Sequence, residues 1–190
     1  QSGCSAMDGN VVIFAAGNEA YGSANYPSAY NEFISVTAYA PDGNPTVYTN
    51  YGPGCNVAAP GGESEVIGNQ GFKDYGCVLS TLPAETYDSY SGRNYDSDYG
   101  YMQGTSMACP HVTGIAALAV AHSLQLKKKL TVLELRDILV RSTHNIDQYC
   151  TGNKLSVNGS SLVQIPLNTF KGKMGVGYID AFKALMNVEG

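Results

Sequence analysis

Uninterrupted apolar runs, rather than alternating ones, mark the candidate strands of this chain. Residues 11–16 are all apolar, and the turn-forming residues Asp8, Gly9 and Asn10 precede them. A run of this kind with β-branched residues predicts a strand that is buried on both faces of a parallel sheet. Turn residues rich in proline and glycine end three further candidate strands, which lie at 33–39, 55–59 and 77–82.

Side-chain size, periodicity and capping residues predict three helices in the second half of the chain. The longest runs from about residue 105 to about 122; its many alanines make it narrow and apolar on nearly every side, which predicts a helix inside the protein. Thr131 and Glu134 have the spacing of a capping box and predict a helix at 132–141. A short terminal helix is predicted at 181–186.

The remaining segments suggest less regular structure. Residues 1–7 look like the tail of a helix, and 84–104 predict a surface loop or hairpin. Residues 145–175 predict a polar, irregular insertion, and 177–180 predict a turn before the terminal helix. No internal repeat or linker divides the chain. The order of the elements therefore predicts one α/β unit, with a parallel sheet flanked by helices.

Composition narrows the class of protein. Of the 190 residues, 44% are apolar and only 14% are charged, and this balance excludes an intrinsically disordered chain. No apolar run approaches the roughly 18 residues that a membrane span needs, so no span is predicted. The net charge of −5 argues against nucleic acid as the natural partner.

The five cysteines lack the spacing of a metal site. None of Cys4, Cys55, Cys77, Cys109 and Cys150 forms a C-x-x-C pair, so structural zinc is not expected. At most two disulfides can form, and the sequence leaves open whether the cysteines pair or remain free buried thiols.

The strongest candidate for chemistry is the segment Gly-Thr-Ser-Met-Ala-Cys-Pro-His-Val at residues 104–112. It places Ser106 in the first turn of the longest helix, where unpaired backbone N–H groups and the helix dipole stabilise negative charge. Spacing alone leaves open that Thr105 or Ser106 only caps the helix. Asn18 follows the first buried strand, at a strand end of the kind that borders ligand sites, and its carboxamide is either an oxyanion donor or an ordinary turn residue.

Together, these segments resemble the subtilisin-like serine proteases (subtilases) in content and in order. The resemblance rests on the Ala-Ala-Gly-Asn segment at 15–18 and on the block GTSMACPHVTG at 104–114, which is highly specific to this family. Shorter matching segments lie at 26–28, 34–38, 51–53, 58–61, 80–83 and 177–181. The resemblance covers nearly the whole chain, 1–190, and 145–175 is the segment least like the family.

The resemblance implies a serine endopeptidase that hydrolyses protein or peptide substrates. By this resemblance Ser106 is the nucleophile that forms an acyl-enzyme, and Asn18 and the Ser106 backbone N–H form the oxyanion hole. Ala16 and Gly17 would line the pocket for the side chain that precedes the cleaved bond, and Asn25 would lie at its far end. Simple strand packing also accounts for Ala16 and Gly17.

The same resemblance implies a secreted or cell-surface protein that needs no catalytic cofactor. It allows structural calcium in the full domain, but metal ligands are assigned to no residue of this sequence.

The segments that carry the family's catalytic Asp and His are missing from this sequence. In the subtilase order both precede the oxyanion Asn, and the 17 residues before Asn18 contain neither segment. His111 lies about 140° around the helix from Ser106, His122 lies about 24 Å further along it, and His144 follows the next helix. We therefore expect the C-terminal part of a catalytic domain. Alone it should be inactive, with the N-terminal part of the domain as its partner and with exposed surface that favours dimers.

Two other functions stay open at this point. One is a degenerate subtilase that acts as a non-catalytic binding or scaffolding module, although intact Ser106 and Asn18 argue against it. The other is an α/β-hydrolase esterase, in which Asp137 and His144 follow Ser106 in the order that this fold requires. That fold also needs a central strand leading into the serine, and the segment 98–103 is too polar for one.

Overall fold

A mostly parallel sheet lies at the centre of the molecule. The computed structural model describes residues 7–66, 72–82, 87–88, 93–94, 99–158 and 161–190. Its strands in chain order are β1 (Met7–Asp8), β2 (Ile13–Ala15), β3 (Ile34–Tyr39), β4 (Val57–Pro60), β5 (Glu65–Val66), β6 (Phe72–Lys73), β7 (Val78–Thr81), β8 (Tyr87–Asp88), β9 (Arg93–Asn94), β10 (Tyr99–Met102), β11 (Leu130–Thr131), β12 (Thr143–His144), β13 (Asn153–Asn158), β14 (Ser161–Pro166) and β15 (Tyr178–Ile179). Its helices are α1 (Thr105–Gln125), α2 (Val132–Arg141) and α3 (Ala181–Glu189), with short 3-10 helices at Asp74–Gly76 and Leu167–Phe170.

Five strands form the central sheet, in the order β12, β15, β4, β3, β2. All neighbouring pairs are parallel except β12 with β15. The strands predicted at 11–16, 33–39 and 55–59 are therefore neighbours, and the predicted α/β class is confirmed. β3 and β4 are almost entirely buried, as their apolar runs require. β2 is only half-buried, because it is the edge strand of the sheet as far as the described residues show.

The strand predicted at 77–82 exists, but it does not join the central sheet. β7 pairs antiparallel with β10, so that Leu79 lies opposite Tyr101 and Thr81 lies opposite Tyr99. Leu79 is 54% exposed and the strand ends in serine and threonine, so it lacks the apolar side chains that a strand buried on both faces needs. β7 and β10 thus form a two-stranded ribbon, and β10 leads through Gln103 into α1. Ser106 therefore follows this ribbon and not a strand of the central sheet.

The helices pack on one face of the central sheet. In α1, Ala108, Val112 and Ala119 are fully buried, and they belong to one core cluster with Val36 of β3 and Val57 of β4. α2 and α3 pack against α1 and against each other and contribute to the same cluster.

α2 has the bounds and the cap that its sequence predicts. The Thr131 hydroxyl accepts a hydrogen bond from the Glu134 N–H at 3.2 Å, and the Glu134 carboxylate accepts one from the Thr131 N–H at 2.8 Å. The capping box is therefore confirmed. The buried residues Leu135, Ile138 and Leu139 share one face of the helix, as an amphipathic helix on a core requires.

α1 is slightly longer than predicted and is buried on one face only. Ala116 and Ala119 lie in the core, whereas Gly114, Ala117 and Leu118 are exposed. The prediction of a helix surrounded by protein is wrong for this chain, because nothing among the described residues covers the second face. By length and composition alone, α1 is the one described helix that could cross a membrane, a test that core helices also pass.

The segment 145–175 covers the other face of the sheet and is more regular than predicted. β13 and β14 form an antiparallel hairpin, and the 3-10 helix Leu167–Phe170 follows it. Phe170 and Met174 pack with Ala58 of β4 in a second core cluster. The hairpin escaped prediction because polar residues interrupt its short apolar stretches and part of it is exposed; Leu155, for example, is 62% exposed.

Other predictions fall partly on residues that the structure does not describe. Residues 1–6 of the predicted helix tail lie outside the described residues, and Met7 belongs to β1, which pairs parallel with β11. Within 84–104, β8 and β9 form an antiparallel pair, as a hairpin requires, while residues 84–86, 89–92 and 95–98 lie outside the described part. The predicted turn at 177–180 contains β15, and the terminal helix reaches Glu189.

Candidate active site

Ser106 lies exposed in the first turn of α1, directly after the ribbon formed by β7 and β10. Neither its hydroxyl nor its backbone N–H forms a hydrogen bond to another described residue. The helix has no side-chain cap, so neither Thr105 nor Ser106 is used as the simple cap that the sequence left open. The exposed hydroxyl and the unpaired N–H therefore both face a region where negative charge is favoured.

Asn18 lies beside this helix start, and Thr105 fixes the orientation of its carboxamide. Asn18 Oδ1 accepts hydrogen bonds from Thr105 N at 2.8 Å and from Thr105 Oγ1 at 2.9 Å. Thr105 Oγ1 in turn accepts one from Gly17 N at 3.2 Å. Because the oxygen is engaged with two donors of Thr105, Asn18 Nδ2 points elsewhere, and it donates to no described residue.

Gly104 separates the two unpaired donors. A Cβ built on Gly104 would lie 3.5 Å from Asn18 Nδ2 and 3.6 Å from Ser106 N, so one small volume lies within reach of both N–H groups. The φ of Gly104 is 149°, a backbone conformation that is essentially restricted to glycine. The missing side chain therefore leaves open a space that two hydrogen-bond donors border.

The turn that carries Asn18 is held by Asn50 and Glu19. The buried Asn50 carboxamide bonds to Ala16, Glu19 and Tyr21, at distances of 2.9–3.1 Å. Glu19 Oε2 accepts hydrogen bonds from Asn18 N at 2.9 Å and from Asn50 Nδ2 at 3.0 Å. The conformation of the turn is thus fixed by side chains far apart in sequence.

Three predicted substrate-binding residues, Ala16, Gly17 and Asn25, come together beside this turn. Asn25 N donates to Ala16 O at 2.8 Å, and Asn25 Nδ2 donates to Glu19 Oε2 at 2.8 Å. A Cβ on Gly17 would lie 2.5 Å from Asn25 Nδ2, and the φ of Gly17 is 115°. Glycine is therefore required at 17 so that the Asn50 and Asn25 amides can both lie against the backbone.

None of the three histidines is placed as a base for Ser106. His111 lies exposed with Nδ1 2.8 Å from Met107 O, on its own helix. His122 contacts Glu189 at 3.0 Å, and His144 contacts Asp180 at 2.7 Å.

The arrangement that an α/β-hydrolase needs is also not formed. Asp137 pairs with Arg141 at 2.8 Å, and His144 is bound to Asp180 instead. The element before Ser106 is the antiparallel strand β10 and not a central strand of the sheet. The esterase alternative therefore has no support in the described residues.

Three of the described cysteines, Cys55, Cys109 and Cys150, are free thiols, and burial raises the pKa of each. Cys4 lies outside the described residues. Burial raises the pKa of the Cys55 thiol to about 12, which keeps it protonated at neutral pH. Among the residues that the structure describes, no group of three or more His, Cys, Asp or Glu side chains is placed to hold a metal ion.

The sequence located Ser106, Asn18, Ala16, Gly17 and Asn25 but missed the residues that hold them. Local pattern suggests Thr105 only as a possible cap, and it does not distinguish Asn50 or Glu19 from other polar residues in turns. Complete burial of an Asn is the signal that would have found Asn50, and burial is visible only in three dimensions.

Comparisons with known proteins agree with this geometry. The subtilase family pattern matches residues 2–177. An extracellular basic protease of Dichelobacter nodosus is 38% identical over 136 residues, which are 71% of this chain and 19% of that protein. Thermitase of Thermoactinomyces vulgaris is 36% identical over 110 residues, 58% of this chain and 30% of thermitase. A solved protease structure from Pseudoalteromonas arctica PAMC 21717 has a TM-score of 0.66 and 32% identity, over 95% of this chain and 43% of that one. The chain thus spans less than half the length of each.

Proposed function

Because the chain belongs to the subtilase family, we propose that it is the nucleophile-bearing, C-terminal part of a serine endopeptidase catalytic domain. Ser106 attacks the carbonyl carbon of a peptide bond, and its hydroxyl proton passes to a base. The C–N bond then breaks, the amine leaves with a proton, and water hydrolyses the acyl-enzyme.

This proposal rests on two neighbouring N–H donors, Asn18 Nδ2 and Ser106 N, that have no hydrogen-bond partner among the described residues. Asn18 Nδ2 and Ser106 N border one small volume next to Gly104, and a carbonyl oxygen that becomes negative there would be stabilised by both N–H groups. Asn18 Oδ1 also lies near that volume, 3.7 Å from the Cβ position, but it accepts two hydrogen bonds from Thr105, which fixes the orientation of the carboxamide. This fixed geometry is what an oxyanion hole requires, since its donors must be in place before charge develops.

The base is proposed to come from the rest of the catalytic domain. The histidines of this chain have other partners, and a serine hydroxyl is a poor nucleophile unless a base lies within hydrogen-bond distance. The 190-residue chain alone should therefore be inactive. Ala16, Gly17 and Asn25 are proposed to line the pocket for the substrate side chain, and secretion is proposed because a relative is named an extracellular protease.

A fluorophosphonate probe tests the proposal, because it labels only an activated serine. We expect labelling of a longer protein that also carries the family's Asp and His segments, and no labelling of the 190-residue chain. Ser106→Ala should abolish labelling, whereas Ser80→Ala, at an exposed serine of β7, should leave it unchanged. A folded longer protein that is not labelled would contradict the protease proposal and favour a non-catalytic binding module.

A further inference from the structure

We propose that Asn50 is a positioning residue of this site: it holds the turn that carries Asn18, so that Asn18 Nδ2 faces the oxyanion. This inference rests on the proposed function, because it assigns Asn50 a part in the same oxyanion hole. Asn50 itself is fully buried, and none of its hydrogen bonds goes to Ser106. It can therefore act only through the residues around Asn18.

The carboxamide and the backbone N–H of Asn50 form hydrogen bonds with one short segment, residues 16–21. Its Oδ1 accepts hydrogen bonds from Glu19 N at 3.0 Å and from Tyr21 N at 2.9 Å. Its Nδ2 donates to Ala16 O at 3.1 Å and to Glu19 Oε2 at 3.0 Å. Its backbone N–H donates to Gly17 O at 3.0 Å. Both lone pairs and both N–H groups of the carboxamide are thus used, and every bond goes to this one turn.

These bonds fix the residues on either side of Asn18. Gly17 is held through its carbonyl and Glu19 through its N–H, while Glu19 Oε2 accepts from both Asn50 Nδ2 and Asn18 N. Thr105 holds the Asn18 side chain from the opposite side. Asn18 therefore has its backbone set by Asn50 and its carboxamide set by Thr105, and loss of either should misplace Nδ2.

Only an Asn-like side chain can make all four contacts. Alanine would remove the fully buried acceptor of the Glu19 and Tyr21 N–H groups, although both of those residues are themselves exposed. Serine keeps a hydroxyl that can form part of the set, but it is too short to span from Ala16 to Tyr21. We therefore expect Asn50→Ala to impair the site more than Asn50→Ser does.

The test measures kcat and KM in the complete, active protein that contains this chain. Asn50→Ala should lower kcat about tenfold to a hundredfold, less than the roughly 10²–10³-fold loss expected when an oxyanion donor is removed. KM should rise by a smaller factor, because Asn50 also bonds to Ala16 and Gly17 of the proposed pocket. In an Asn18→Ala background, Asn50→Ala should lower kcat no further, since the residue on which it acts is already gone. Asn50→Ser gives the same comparison if the alanine variant fails to fold.

Asn56→Ala is the matched control. Asn56 is a partly buried Asn whose Oδ1 accepts from Ser35 N at 2.8 Å, before the start of β4 and away from the site. Its loss should lower the melting temperature and leave kcat unchanged. The inference is wrong if Asn50 variants lower only stability, or if their kcat loss is equally large with and without Asn18. Failure of the proposed function is a separate outcome, in which Asn18→Ala and Ser106→Ala leave activity unchanged.

Discussion

At the scale of single residues, two glycines are as important to the geometry of the candidate site as its polar side chains. Gly104 has a φ of 149°, and its missing Cβ leaves space between the Asn18 amide and the Ser106 N–H. Gly17 likewise lacks a Cβ where one would collide with Asn25. Both glycines therefore have a positive φ that disfavours other residues, and both leave space next to residues of the candidate site that a side chain would occupy.

Gly104→Ala should lower kcat/KM of the complete protein about a hundredfold, because its methyl group would lie near the two donors that we propose as the oxyanion hole. Gly152→Ala is the control: its φ is also positive, at 73°, but a Cβ there meets nothing within 4 Å. That variant should lose about 1 kcal/mol of stability and keep its activity. Steady-state kinetics with thermal unfolding would separate the two effects, and equal activity in both variants would contradict the role of Gly104.

The sequence identified the site residues that belong to recognisable segments, and it missed those that act from a distance. Ser106 and Asn18 stand in family motifs, so their roles could be hypothesised from those motifs alone. Asn50 is a residue of an ordinary turn by local pattern, yet it is completely buried and contacts a segment about 30 positions away. Such contacts depend on how β2 and β3 are aligned in the sheet, which no local pattern encodes.

At the scale of elements, helix ends were more predictable than strand pairing. Thr131 and Glu134 are three residues apart and interact within one turn, so the start of α2 follows from local sequence. Asp180 plays a similar part at α3, where its carboxylate accepts from Lys183 N at 2.9 Å and contacts His144. The pairing of β7 with β10 depends instead on a partner about 20 residues away, and sequence reasoning missed it.

The acid stability of the protein should depend on Asp180. The Lys183 N–H, and after it the His144 side chain, hold the pKa of the Asp180 carboxyl below its usual value. A lowered folded-state pKa means that this stabilisation is complete above the unfolded pKa of about 4 and is lost as the pH falls through the folded pKa. Asp180→Ala should cost about 1 kcal/mol at neutral pH as a lost helix cap.

Asp180→Asn separates the cap from the charge, because Asn caps helices about as well as Asp. In urea unfolding, we expect this variant to be nearly as stable as the parent at about pH 2.5. Between about pH 2.5 and pH 6, the free energy of unfolding should rise less in the variant than in the parent. Asp137→Asn, at an exposed carboxylate paired with Arg141, is the control and should change this gain less. An unchanged pH dependence in Asp180→Asn would show that the Asp180 charge contributes nothing.

At the scale of the whole molecule, both faces of the central sheet are covered, but the outer face of α1 and the edge strand β2 are open among the described residues. The 145–175 segment covers one sheet face, and the helices cover the other. The outer face of α1 and the edge strand β2 border an apolar groove of about 410 Å³, whose lining includes Val11, Ile13, Ala117, Val120, Ala121 and Leu124. Exposed apolar surface and a free strand edge both favour association.

The 190-residue chain alone should therefore form dimers or larger assemblies, and charge placed in the groove should weaken them. Ala117→Glu together with Leu124→Glu should shift the chain toward monomer in light scattering after size exclusion. Leu133→Glu, at a side chain of α2 that is 76% exposed and outside the groove, should leave the distribution unchanged. A parent chain that is monomeric at all concentrations would contradict this prediction.

The sequence by itself determined the family and the α/β class, and it led to the proposal that Ser106 is the nucleophile. These follow from short motifs and apolar runs, which can be recognised without knowing their contacts in the fold. It also determined the start of α2, where Thr131 and Glu134 interact locally. Only the tertiary structure decided that β7 leaves the sheet, that α1 is covered on one face, and that Asn50 and Thr105 hold Asn18 in place. These features arise from contacts between residues distant in the chain, and burial and hydrogen-bond geometry exist only once those residues are brought together.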